Sequence, residues 1–411
     1  MVASRSYFSE NRGMTYLERE IYPAIAHALE RGKSVLLLGA RQTGKTTLIQ
    51  HQIKPDIYYS FIQPAVRQAY EKNPSLLAAE IEAEIQFKKI INPVIVIDEI
   101  QRVPLAMDVI QDLIDRRCGR FVLTGSSARK LKRGANINLL PGRVVLLHLD
   151  PLMLSEMNQP LPSLNSLLLY GSLPGIFTES STEDKRIDLD SYVKTYLEEE
   201  IRAEALVRNM GNFSRFLLLA ASESGKLINF SKLSQEVGVA HTTIAGYYQI
   251  LEDCLIAERI EPLTQSSTRS RLSKALKFLF FDLGVRRLCA EEGTGLSLSS
   301  MGGLFEQFVG LELIRRARLQ KNLCKILYWR DHAGPEVDYI IQFDHTLVPV
   351  EVKWSDRPTE KDSRHLRIFL EEYANAQHGY IVCQTPKRYL LAPNITAIPW
   401  QELDSIYSSI L

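Results

Sequence analysis

The sequence has little that would build a redox or metal framework. Its five cysteines (Cys118, Cys254, Cys289, Cys324, Cys383) form no CxxC pair and have no nearby histidine partner. A zinc site or a disulfide scaffold is therefore not expected, and the odd count suits a reducing compartment. No apolar run approaches the roughly 18 residues that a membrane-spanning helix needs. The opening MVASRSYFSENRG is polar and lacks the apolar stretch of a secretion signal. A charge excess is missing too: 49 basic side chains against 48 acidic ones leave a net charge of +1. Whole-chain charge thus argues for neither a nucleic-acid nor a membrane partner, and only local clusters can. No internal repeat or low-complexity tract is visible. These absences lead us to expect a cytoplasmic protein that engages no membrane.

The chain has 411 residues, 45% of them hydrophobic and 24% charged, enough for two or three domains. Helical spacing predicts an amphipathic helix over Tyr16–Leu29. Short β-rich runs at Ser34–Leu38, Pro93–Ile97 and Arg120–Thr124 predict strands, with a helix over Leu105–Ile114. Strands alternating with helices imply an α/β fold whose parallel sheet is covered on both faces. Beyond Pro151 the pattern turns mostly helical up to about residue 260. The polar, Ser-rich Leu263–Lys274 reads as a linker or wing, and mixed strand and helix signals return from Lys277. The expected units are 1–155, 156–215, 216–276 and 277–411.

The run Gly39-Ala40-Arg41-Gln42-Thr43-Gly44-Lys45-Thr46, followed by Thr47, fits G-x-x-x-x-G-K-[ST] between a predicted strand and a predicted helix. Glycines let backbone N–H groups turn inward around phosphates, at the positive end of the following helix. Lys45 would reach the β- and γ-phosphates of ATP, and the Thr46 hydroxyl would ligate Mg²⁺. Four apolar residues then lead into Asp98-Glu99. Asp98 would complete the Mg²⁺ shell, and Glu99 would orient and deprotonate the attacking water. Ser126 or Ser127, at the tip of the next strand, is a candidate γ-phosphate sensor. Arg143, before the strand-like Val144–Leu147, is a candidate arginine finger reaching a neighbouring subunit's site.

Together, GARQTGKTTL, IVIDEIQRVP, LTGSS, LPGRVVLLHLDPLMLSE and YGSLPGIF resemble, in this order, the prokaryotic AAA+ class P-loop ATPases with a C-terminal domain of unknown function, the AAA_14/DUF4143 family. Ala40 stands where that family more often has Pro. The resemblance implies a P-loop ATPase core over 1–155, a helical lid over 156–215, and assembly into a homo-oligomer.

Phe230–Leu251 reads as two short helices joined at Gly238, the pattern of a winged helix-turn-helix over 216–276. Leu233, Val237, Val239, Ile244 and Leu251 would be buried. His241, Thr242, Thr243 and Tyr247 would lie exposed on the second helix. Arg269, Arg271, Lys274 and Lys277 would form a basic wing on DNA phosphates. In the last unit, Glu306 on a helix, Asp338 on a strand, and Glu351 with Lys353 two positions apart on the next strand share the order of the PD-(D/E)xK nuclease superfamily. Two such carboxylates, Asp338 and Glu351, would hold a second metal ion with Lys353 beside them. Local charge at Gln320–Arg330, Arg364 and Arg367 would face a phosphate backbone. Two functions compete at this stage. One is an ATPase that binds or remodels DNA. The other is a nucleotide switch that grips a protein partner and cuts nothing.

Overall fold

The computed structural model describes residues 16–127, 142–197, 209–264, 275–295, 297–331 and 334–408. Five short apolar segments make the first sheet: β1 (Ser34–Leu38), β2 (Ile57–Ser60), β3 (Val94–Asp98), β4 (Arg120–Gly125) and β5 (Val144–His148). Every pairing in it is parallel, in the order β2-β3-β4-β1-β5. Side chains alternate across the strands. Leu36, Leu38, Ile95, Ile97, Phe121 and Leu123 pack on one face against the helices Ser75–Lys88 and Ala106–Asp115. Val35, Leu37, Val96 and Val122 pack on the other against Ile25 and Leu29 of the helix Tyr22–Glu30. This helix is shorter than its periodicity predicted. Pro23 sits in its first turn, where a missing N–H costs nothing, and marks its start.

Helices dominate the described residues between 164 and 253, as the sequence predicts. Phe230–Val237 and His241–Asp253 pack at a turn where Gly238 is left-handed, with φ 78°. Leu233, Val237, Ile244 and Leu251 are buried, and Val239 is partly buried. His241 and Thr242 are exposed, with Thr243 intermediate. Tyr247, expected on the exposed face, is buried between Phe213 and Phe216 at ring distances of 5.0 and 5.2 Å. The helix Met210–Ser222 covers the side of the second helix that periodicity had left open.

Hairpin strands β6 (Ala257–Pro262) and β7 (Lys277–Phe280) follow. Then come β8 (Cys324–Arg330), β9 (Glu336–Phe343), β10 (Thr346–Val352), β11 (Gly379–Cys383), β12 (Tyr389–Ala392) and β13 (Ile395–Pro399). All eight join one sheet, ordered β12-β13-β11-β10-β9-β8-β6-β7. The hairpin is thus no free wing, because β6 runs parallel beside β8 through Glu261 and Pro262. Arg269, Arg271 and Lys274 lie outside the described residues. The long helix Leu298–Arg318 covers one face of this sheet and Arg364–Glu372 covers the other. Gly310 lets the long helix settle close, since a Cβ there would stand 2.4 Å from the Tyr339 hydroxyl. No helix among the described residues is long and apolar enough to cross a membrane.

Candidate functional site

In an all-parallel sheet the carboxyl ends of the strands share one edge, and the polar residues that follow them meet there. At that edge β1 runs into the glycine-rich loop. Gly39 N–H donates to the Gly125 carbonyl at 3.1 Å. A Cβ at Gly39 would lie 2.5 Å from the Leu149 carbonyl oxygen, so no larger residue fits this approach. Gly44, with φ 94°, precedes the helix Lys45–Leu48, so the positive end of that helix borders the loop. Lys45 is buried, and its Nζ donates to the Gly39 and Ala40 carbonyls at 2.7 and 2.9 Å. The buried Thr43 hydroxyl donates to Ala40 O at 2.8 Å. Arg41 and Gln42 line the cleft over this loop together with Gly44, Thr46 and Thr47.

The acidic pair lies across the same edge. Thr46 Oγ1 donates to Asp98 Oδ2 at 3.2 Å, which joins the two expected Mg²⁺ ligands directly. Asp98 is buried and also accepts from the Tyr58 hydroxyl at 2.9 Å and from the Thr124 hydroxyl. Burial, then the Asp98 charge, pushes the Tyr58 hydroxyl pKa up, so it stays a donor. Glu99 adopts a left-handed conformation with φ 60°, and its N–H bonds Thr124 Oγ1 at 3.1 Å. Gln101 Nε2 donates to its carboxylate at 2.6 Å and also to Ser126 Oγ at 2.9 Å. The Ser126 hydroxyl itself faces Glu99 Oε2 at 3.4 Å. Lys45, Thr46, Asp98, Glu99 and Ser126 therefore meet in one place. Ser127 is buried nearby at the end of β4.

Arg143 does not join them. It precedes β5 at the amino end of the sheet, with both guanidinium arms on Asp115 at 2.6 and 2.9 Å. It cannot serve the P-loop of its own chain. A finger role would need another copy's site and the loss of this exposed pair.

A cleft of 1460 Å³ opens over the loop. Pro174, Ile176, Asp188 and Tyr192 form its far wall. At its other end the Tyr16 ring stacks on His51, with centroids 4.4 Å apart and planes 8° from parallel. Sequence reasoning missed several residues here. Arg19 is buried and holds the loop from behind, through Thr43 O at 2.7 Å, Asp150 O at 2.7 Å and the Glu156 carboxylate at 3.1 Å. Tyr58, Gln101 and Thr124 were also missed. The only sequence signal for them was their place at or just past strand ends.

The second constellation is partly assembled. The register pairing Val350 with Tyr339 puts Asp338 beside Glu351 across β9 and β10. Asp338 Oδ2 accepts from Val352 N at 2.8 Å, and Lys353 Nζ reaches Glu351 Oε1 at 2.7 Å. Glu306 comes from the long helix. Lys277 enters the group from β7, although its neighbours in sequence placed it on an outer wing. Its Nζ lies 3.4 Å from Glu306 Oε1. Burial, with the Asp338 charge adding to it, pushes the Glu306 carboxyl up to about 7 and that of Glu351 up to about 8. The pair expected to hold a second metal ion, Asp338 and Glu351, thus stands side by side with Lys353 on Glu351. Among the described residues, no three His, Cys, Asp or Glu side chains are grouped to hold a metal ion. Of the basic surface expected nearby, Arg330 and Arg367 are paired with Glu336 and Glu360 at 3.0 and 3.1 Å.

Comparison with known proteins gives three matched spans. An AAA domain family matches residues 31–158, a domain of unknown function (DUF8612) residues 161–295, and another (DUF4143) residues 301–403. The chain is 27% identical over 399 residues to the uncharacterized protein Rv2008c of Mycobacterium tuberculosis, covering 94% of this chain and 84% of that one. The uncharacterized protein Mb2031c of Mycobacterium bovis gives the same values. Among solved structures, the Walker-type ATPase PABY2304 of Pyrococcus abyssi is similar at 13% identity and a TM-score of 0.47, over 67% of this chain and 96% of that one. The ORC1 protein of Aeropyrum pernix, solved in complex with DNA, is similar at 13% identity and a TM-score of 0.29, over 67% and 93%. The chain thus carries an AAA domain and a DUF4143 domain in this order, the make-up of the AAA_14/DUF4143 P-loop ATPases that its motifs resemble.

Proposed function

We propose that the protein hydrolyses ATP with Mg²⁺ in this cleft and uses the turnover to bind or remodel DNA as a homo-oligomer. The observation that carries the reading is the meeting of Lys45, Thr46, Asp98 and Glu99 at one sheet edge. Amides of residues 40–46 and the Lys45 ammonium would hold the phosphates. Thr46 and Asp98 fit a magnesium ion through their touching oxygens. When bound, that ion neutralises charge on the β- and γ-phosphates. Glu99 takes the proton from a water whose oxygen bonds the γ-phosphorus. The bond from that phosphorus to the bridging oxygen breaks, giving ADP and phosphate. Gln101 and Ser126 hold the Glu99 carboxylate in place. Arg143 would act on the site of a neighbouring copy.

The DNA part of the reading rests on the helix pair at Gly238, with Thr242 and Thr243 at its outer side and Arg269, Arg271 and Lys274 following. A second reading, a nucleotide switch that grips a protein partner, is favoured by one fact: His241–Asp253 contains no Lys or Arg to reach phosphate or guanine. ATPase rates measured with single-stranded, duplex and branched DNA across salt concentrations separate them. The DNA reading expects stimulation and an affinity that falls steeply with salt. No stimulation and a flat salt response, with ATP-dependent assembly on size exclusion, would favour the switch.

A further inference from the structure

The C-terminal cluster holds three carboxylates, yet its cations come from the chain itself. Lys353 Nζ occupies one oxygen of Glu351 at 2.7 Å. Lys277 Nζ lies 3.4 Å from Glu306, and its side chain is 12% exposed. The same ammonium stands 5.1 and 5.9 Å from the ring centres of Tyr328 and Tyr339, whose faces favour a cation. One acceptor is left over. Glu351 Oε2 is buried and has no hydrogen-bond partner.

We infer that Lys277 is the resident cation of this cluster and that it closes the site to divalent metal. A divalent ion drawn to the free Glu351 oxygen would need Glu306 and Asp338 as further ligands. It would meet the Lys277 charge in a poorly solvated space, where repulsion at a few ångströms is large. This placement gives the hairpin a role. Lys277 is the first residue of β7, so the hairpin that follows the helix pair delivers this cation to the cluster.

Manganese binding to the full-length protein without nucleotide, followed by electron paramagnetic resonance, tests the inference independently of the ATPase reading. The parent should bind weakly. Lys277→Met should tighten binding by about tenfold or more through loss of the repelling charge, and Lys277→Arg should match the parent. Adding Glu351→Gln to Lys277→Met should abolish the gain, which places the bound ion in this cluster. Circular dichroism checks folding, and Lys277→Gln substitutes if the methionine variant does not fold. Parent affinity as tight as the neutral variants, or no gain in a folded neutral variant, would overturn the inference.

Discussion

Asp98 accepts from three hydroxyls, on Thr46, Tyr58 and Thr124. Thr46 was legible in sequence because the motif fixes its spacing. Tyr58 and Thr124 stand 40 and 26 positions away and are brought in only by the order β2-β3-β4. No local pattern encodes that adjacency. The same holds for Arg19 and for Lys277, whose functional contacts are set by tertiary pairing. Thr124 bridges Asp98 and the Glu99 backbone, so it orients both acids without touching nucleotide. Thr124→Val should raise the Mg²⁺ concentration for half-maximal ATPase rate by about 10- to 100-fold, the usual effect of losing a ligand's supporting bond. An unchanged Mg²⁺ titration would remove that role.

Strands β1, β3 and β4 were read closely from sequence, because an apolar run between polar turns has few alternatives when both sheet faces are covered, whereas β2, β12 and β13 were not read at all. Helix faces were harder. The inward turn of Tyr247 follows from the third helix packed over it, which the period of its own helix does not contain. The long helix Leu298–Arg318 shows what else periodicity hides. Glu312 on it is buried and accepts from Leu154 N at 3.0 Å, with Arg315 at 3.0 Å. Burial nonetheless pushes its carboxyl up to about 7, against the pull of Arg315. A buried acid with a raised pKa binds its proton more tightly when folded. Its contribution is therefore full below the unfolded value of 4.5 and is lost as pH rises towards about 7. Glu312→Gln should flatten the fall of unfolding free energy, measured in urea, over that window by on the order of 3 kcal/mol across it. Parallel pH curves for variant and parent would show the acid to be ionised throughout.

At the scale of the whole molecule, the ATPase sheet and the C-terminal sheet are not separate beads. Leu17, Leu152, Leu154 and Leu168 share one core with Phe305, Tyr339 and Trp400. Arg318, on the long helix, holds Asp150 beside the nucleotide core at 2.5 Å and Glu258 on β6 at 2.6 Å. Removing it would leave two acids poorly compensated. Arg318→Met should cost about 2–3 kcal/mol in urea unfolding, below the full range for a buried ion pair because the side chain is 26% exposed. A loss under about 1 kcal/mol would mean that the two units are held by apolar packing alone. Changes of period and polarity along the sequence did not show that the β6–β7 hairpin belongs to the C-terminal sheet. That pairing joins strands more than 60 residues apart and leaves no repeat to detect.

The central claim is that the edge holding Lys45, Thr46, Asp98 and Glu99 is an ATP-hydrolysing site. ATP binding and turnover by the parent, Lys45→Ala and Glu99→Gln, measured side by side with Mg²⁺, test it most directly. The parent should turn over ATP, and Lys45→Ala should lose nucleotide binding. Glu99→Gln should bind ATP as the parent does while its turnover falls by about 100-fold or more, as expected when a general base is removed. Turnover unchanged in Glu99→Gln, or nucleotide binding unchanged in Lys45→Ala, would contradict it.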